Sequence, residues 1–310
     1  MYRSKGCDVL LKISLTALVW VMLLASGGSR SEAGPITFSS ALPVATGEFI
    51  LREQVVVLRS TDDPGPKDRD LRVLTVPSVL VYGATRNLTL FGIVPYVDKT
   101  LDETTSTEQR RRRGDSGLGD ATVLGRYTIY SRDRLGETRR LAPFVGLKLP
   151  TGEDNATDSF GRLDQPLQLG SGSWDPIVGT SFSWQTFDWE FDSAVQYRFN
   201  NTANNFEFGD QARLDLSFQY RLWPRELGTG VPAFFYGVLE SNLIYAGKNE
   251  EVGIRNPDSG GTTWFLAPGL QYVTRRVVLE AIVQIPAVQD LNGLALKNDY
   301  IVSAGFRVNF

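Results

Sequence analysis

Ala212-Arg-Leu-Asp-Leu-Ser-Phe-Gln-Tyr-Arg-Leu222 alternates without a fault: Ala212, Leu214, Leu216, Phe218, Tyr220 and Leu222 are apolar or aromatic, and Arg213, Asp215, Ser217, Gln219 and Arg221 are polar. A period of two places these sets on opposite faces of a β-strand. The run is about twice the usual five or six residues of a strand. It matches the roughly 9 to 11 residues that a tilted strand needs to cross the hydrocarbon layer of a bilayer.

The same pattern recurs on both sides of this stretch. Trp189, Phe191, Ser193, Val195, Tyr197 and Phe199 oppose Glu190, Asp192, Ala194, Gln196 and Arg198, and Tyr300, Val302, Ala304, Phe306, Val308 and Phe310 oppose Asp299, Ser303, Arg307 and Asn309. Twelve strands are expected near 48-58, 72-84, 87-97, 118-130, 141-149, 175-186, 188-199, 209-222, 233-245, 263-273, 276-285 and 298-310, with ten or fourteen still open because the first, third and sixth alternate less cleanly. Long gaps at 59-71, 98-117, 150-174, 200-208, 246-262 and 286-297 alternate with tight turns near 84-87, 186-188 and 274-276, as external loops alternate with periplasmic turns in an outer-membrane barrel. A soluble β-sandwich also alternates. Aromatic residues near strand ends and mixed Arg, Asp and Glu on the polar faces favour the closed, antiparallel, transmembrane all-β barrel, with its outward face in lipid.

Arg3 and Lys5, a mostly apolar run from Val9 to Ala25, and Ser31-Glu32-Ala33 read as a signal peptide over residues 1-33, leaving a barrel domain over 34-310. The single Cys, Cys7, precedes most of that apolar run, which excludes a lipoprotein, and the mature chain holds no Cys for a disulfide or a thiol nucleophile. Residues 1-33 hold four basic and two acidic residues, so 28 Lys+Arg then face 33 Asp+Glu, a net charge of about −5 that makes nucleic acid an unsuitable partner. The expected location is the outer membrane of a Gram-negative bacterium. Phe310, an aromatic residue closing an alternating strand, is read as the signal for the barrel assembly machinery.

The polar faces place Arg126, Glu190, Asp192, Arg198, Arg213, Asp215, Glu240, Glu280 and Arg307 toward the lumen, with Asp120 and Lys148 nearer strand ends. Such charges either pair across the interior and brace it or form a constriction that selects solutes. The chain contains no His, so the usual acid or base of outer-membrane hydrolases and acyltransferases is missing, and no enzyme is expected. Glu190 and Asp192 share a face and could in principle share a proton as glycosidase carboxylates do, but an ordinary solvated lumen pair is by far the better reading. Arg110 to Arg113, expected in the second external loop, suit lipopolysaccharide phosphates or plain solvation. Glu153, Asp154 and Asp158 lack a calcium-loop pattern, so neither metal nor cofactor is expected.

Three stretches carry a resemblance: Gly117-Leu-Gly-Asp-Ala-Thr, Leu147-Lys-Leu-Pro-Thr-Gly-Glu-Asp and Leu169-Gly-Ser-Gly-Ser-Trp-Asp-Pro. Their order and spacing resemble the outer-membrane family named for the meta-pathway of phenol degradation. The resemblance implies a transporter-type barrel associated with uptake of aromatic or other hydrophobic compounds, and implies no particular substrate residue. Pro150-Thr-Gly152, Gly170-Ser-Gly172 and Trp174 also make sense as loop architecture at the membrane rim. The function expected is a passive channel for small, hydrophobic or aromatic molecules; the alternative is a structural or surface-interaction barrel with a plugged lumen. The mature protein is expected to begin at Gly34, which an intact mass of the outer-membrane form checks; a mass that includes residues 1-33 overturns the cleavage site.

Overall fold

A computed structural model of the chain describes residues 33–105, 107–226 and 233–310. Apart from Ala33, the expected signal peptide lies outside the described residues. Twelve strand positions form one antiparallel sheet: β1 (Phe49–Ser60), β2 (Asp70–Gly83), β3 (Leu88–Thr104), a segmented β4, β5 (Glu137–Lys148), β6 (Asp175–Thr186), β7 (Trp189–Arg198), β8 (Gln211–Trp223), β9 (Phe234–Ala246), β10 (Gly261–Val273), β11 (Val277–Leu291) and β12 (Tyr300–Asn309). The sheet closes on itself, because β12 pairs with β1 from Arg59↔Tyr300 to Ile50↔Asn309. Phe310 and Phe49 then exchange both backbone hydrogen bonds, at 2.8 and 3.0 Å, and their rings stack 5.8 Å apart.

The barrel is apolar outside, and its buried charged side chains point inward. Leu239 is 55% exposed while its neighbour Glu240 is 0% exposed, an ordering that is favourable only with hydrocarbon around the barrel. Phe49 stacks on Tyr82 at 4.6 Å and Trp189 meets Trp184 at 4.9 Å near the end bearing the tight turns. Tyr197 and Phe199 pair at 4.6 Å toward the other end. Aromatic rings thus stand at both headgroup levels.

Three expectations need correction. The loop expected at 98-117 is mostly strand, because β3 continues to Thr104 and pairs with Arg110–Leu118, the upper piece of β4. Arg110 to Arg113 therefore lie on a strand and are matched one by one: Arg110 to Asp68 at 2.5 Å, Arg111 to Glu103 at 2.5 Å, Arg112 to Asp102 at 2.8 Å and Arg113 to Asp158 at 2.9 Å. Backbone pairing with β3 makes the apparent loop run one arm of a hairpin, and Arg113 holds the Asp158 carboxyl below its ordinary pKa. In the same way β11 continues to Leu291, into the loop expected at 286-297.

Strand β4 is broken. Its middle piece, Thr122–Tyr127, pairs with β3 and β5, and its lowest piece, Tyr130–Arg134, pairs with β5 alone. The upper piece has no strand partner on its β5 side among the described residues, since β5 ends at Lys148, level with Thr122. Residues 149–174 pack against this piece: Arg113 donates to the carbonyls of Gly161, at 3.1 Å, and Arg162, at 2.9 Å, and Lys99 of β3 donates to those of Pro166, at 3.0 Å, and Gln168, at 2.5 Å.

The chain before β1 lies inside the barrel rather than below it. Ala33 packs on Val273 and Val278, Ile36 on Val238, Ala267 and Ile282, and Val44 on Val81 and Phe91. The segment enters beside β9 to β11, crosses the lumen and leaves beside β2 and β3. Gly83 permits the exit, because a Cβ there would sit 2.1 Å from the Ala45 carbonyl oxygen. Replacing the lipid-facing Leu239 with Arg is expected to destabilise the barrel by about 2 to 4 kcal/mol. Equilibrium unfolding in lipid vesicles checks this, and an unchanged unfolding midpoint would contradict the outward assignment.

Candidate functional site: the occluded lumen

The polar residues of the wall hold the crossing segment by its backbone. Glu240 accepts hydrogen bonds from the N–H groups of Ile36, at 2.6 Å, and Thr37, at 3.1 Å, and from the Thr37 hydroxyl. Glu280 bridges Arg52, at 2.8 Å, and Arg307, at 2.6 Å. Those two arginines in turn donate to the carbonyls of Ile36 and Pro35, while Gln271 donates to that of Gly34 at 2.7 Å. On the far wall, Ser183 accepts from the Ala41 N–H at 2.7 Å and donates to Asp192, which Gln219 also reaches at 3.2 Å. Arg126 donates to the carbonyls of Ser40 and, at 2.6 Å, Leu42. An irregular segment inside a barrel needs partners for its peptide groups, and these side chains provide them from Gly34 to Thr37 and from Ser40 to Leu42.

The other interior positions named from the sequence stand beside this grip, and Asn242 joins Asp215 to it by donating to the Thr37 hydroxyl at 2.9 Å. Arg213 pairs with Asp215 at 2.8 Å, and Asn242 donates to the same carboxylate at 2.8 Å. Glu190 accepts from Gln185 at 3.1 Å, and Arg198 stands in register between Ile177 and Gln211. The sequence reading missed Arg52, Gln54, Ser183 and Gln271, which complete the grip, and the segment itself. One signal was available: Ile36, Phe38, Leu42 and Val44 precede the first strand with no apolar company unless they enter the lumen.

A cavity of about 290 Å³ lies on the crossing segment, which forms its floor at Thr37, Phe38 and Ser39. One side is apolar, made by Pro77, Val79, Phe91, Ile93, Leu124 and Phe144 from β2 to β5. The opposite side carries Ser181, Gln196, Arg213 and Asp215 from β6 to β8. Among the described residues no group of three or more His, Cys, Asp or Glu is placed to hold a metal.

The sequence from 72 to 285 matches the model of a family described as a putative MetA-pathway of phenol degradation. The chain belongs to this family. Among solved structures, an outer-membrane channel from Pseudomonas putida F1 is similar at 16% identity with a TM-score of 0.61, covering 90% of this chain and 100% of that one. The β domain of a Bordetella autotransporter aligns at 14% identity with a TM-score of 0.45, covering 86% of this chain and 100% of that domain. No curated protein matches the sequence. The first likeness shows the fold, an outer-membrane barrel.

In this member of the phenol-degradation family, the three stretches that carried the resemblance meet at the external ends of β4, β5 and β6. Asp120, from the first, accepts from the N–H of Gly152 at 3.0 Å and of Ser171 at 2.9 Å, and its carboxylate lies 3.1 Å from Lys148. Lys148, from the second stretch, also lies 2.5 Å from Asp175 in the third. Gly152 and Gly170 touch backbone to backbone, and a Cβ on Gly170 would come within 2.4 Å of the Gly152 carbonyl oxygen. The stretch beginning at Gly117 thus sits at the break in β4, not at the strand's start as expected, because the strand begins at Arg110. Asp120→Ala strands two N–H donors and leaves Lys148 with Asp175 as its remaining carboxylate, so residues 149–174 are expected to loosen by on the order of 3 kcal/mol. Limited proteolysis of intact cells checks this; equal cleavage of the variant and the wild type would show that the knot does not hold the loop.

Proposed function

We propose that the protein is a passive outer-membrane channel that takes up small hydrophobic or aromatic molecules. The observation that carries this reading is the cavity of about 290 Å³, apolar on one side and polar on the other, resting on the crossing segment inside the barrel. Pockets for small organic molecules are largely apolar with a few placed polar groups, and this one has that composition. A lumen built only to be filled would not need such a space. In this reading Arg213 and Asp215 set the charge that a solute meets, whereas Arg126, Glu240, Glu280 and Arg307 hold the segment that must move for passage.

The second reading, a structural or surface-interaction barrel, draws on that same segment, which is gripped by seven wall residues and more. The two readings differ in what removal of the segment reveals. In planar bilayers and solute-loaded liposomes, the protein lacking residues 34–46 is expected to conduct ions and admit single-ring aromatic compounds faster than the intact chain. Silence of both forms, with unaltered uptake in a deletion strain, supports the structural reading. In the conducting form, Arg213→Glu is expected to shift the reversal potential toward cation preference, and an unshifted potential counts against a role for this residue in the passage. Assembly through Phe310 by the barrel machinery, and contact of Arg110 and Arg112 with lipopolysaccharide phosphates, belong to the same proposal.

A further inference from the structure

Three arginines line the cavity, and they differ in how their charge is met. Arg52 lies 2.8 Å from Glu280, and Arg213 lies 2.8 Å from Asp215. Arg126 has no carboxylate within ion-pair distance among the described residues, although it is only 5% exposed. Its terminal nitrogens donate to the Ser40 and Leu42 carbonyls of the crossing segment, its guanidinium carbon stands 4.9 Å from the centre of the Phe91 ring, and its Nε has no hydrogen-bond partner. A buried guanidinium is ordinarily matched by an anion, and two neutral carbonyls with one aromatic face leave that demand unmet.

The surroundings say what kind of anion would meet it. Phe91 lies against the guanidinium, and Leu124 and Phe144 line the same cavity with apolar surface, so a hydrated inorganic ion would lose its water without gaining compensating contacts. A flat ring carrying a carboxylate satisfies both halves. The volume is adequate as well: a cavity of about 150 Å³ holds benzene, and this one is about 290 Å³.

We propose that the cavity binds small aromatic carboxylates, the carboxylate on Arg126 and the ring against Phe91, Leu124 and Phe144, and that the carboxylate displaces the Ser40 and Leu42 carbonyls and so frees the crossing segment. Binding and opening are then one event, because the same donors serve the segment when the cavity is empty and the solute when it is full. The inference rests on the uptake reading above, and it names both the charge of the solute and the residue that senses it. Arg126 is a binding residue here and takes part in no covalent step.

The test uses the full-length mature protein in detergent micelles, with benzoate and its uncharged isostere benzamide as probes. Calorimetry is expected to give at least tenfold tighter binding of benzoate, and Arg126→Met is expected to abolish that preference while Arg126→Lys retains part of it. Equal affinity for the two probes in the wild type overturns the site, and that comparison stands even where a variant fails to fold. Opening is read at Ala41→Cys, a unique thiol because the mature chain contains no other. Ala41 is wholly buried in the segment, so maleimide labelling is expected to accelerate several-fold with benzoate and not with benzamide. Unchanged labelling at saturating benzoate overturns the coupling. Liposome uptake separates this failure from that of the uptake reading: benzamide entry equal to benzoate entry sinks the inference alone, and entry of neither sinks the channel.

Discussion

Every backbone N–H and C=O of a sheet in hydrocarbon must find a partner within the sheet, since an unpaired group there costs several kcal/mol. The pairing of β12 with β1, extended to Phe49 and Phe310, meets that condition by leaving the wall without a free edge in the bilayer. Closure in turn fixes an inside. Side chains at alternate positions are then committed to lipid or to lumen, and a slip of one residue would move Arg213, Asp215 and Arg221 into hydrocarbon. The exposure of Leu239 beside the burial of Glu240 is the local consequence.

The interior so enclosed is too wide for wall side chains to fill, and its charges need partners. The segment before β1 resolves both problems, because its peptide groups are dipoles that the wall charges can grip. Glu240 receives N–H groups, while Arg52, Arg126 and Arg307 receive carbonyls, so each sign of wall charge has found the matching end of the peptide unit. Some interior charges pair with near neighbours on the wall, Arg213 with Asp215 two residues along the same strand and Glu280 with Arg52 and Arg307. Elsewhere the bracing runs through the inserted chain.

The alternation of Ala212 to Leu222 made the barrel legible, because a period of two is a property of each strand by itself, independent of its neighbours. Strand number and the order of long and short connections followed from the same property. What could not be read were features that depend on partners distant in sequence. Arg110 to Arg113 look like a solvated run until Asp68, Asp102, Glu103 and Asp158 are brought beside them. Arg52 and Gln54 sit on β1, where alternation is weak, since the inner face of β1 also carries the apolar Val56 and Leu58. The same loss of contrast affects β2 and β3, whose inner faces carry Pro77, Val79, Phe91 and Ile93 on the apolar side of the cavity.

The upper piece of β4 stands beyond the external end of β5, where Arg113 reaches the Gly161 and Arg162 carbonyls of a loop that Asp120 and Lys148 tie down. The family's three glycine-rich stretches are confined to that junction. Close approach of Gly152 to Gly170 is what lets the loop lie flat against the interrupted strand, and any side chain at Gly170 would hold the two backbones apart. The resemblance therefore marks the place where the barrel departs from a regular ladder. Its conspicuous residues support the wall beside the cavity, while the chemistry of the cavity rests on Arg126 and the apolar side chains around it, residues that no short motif contains.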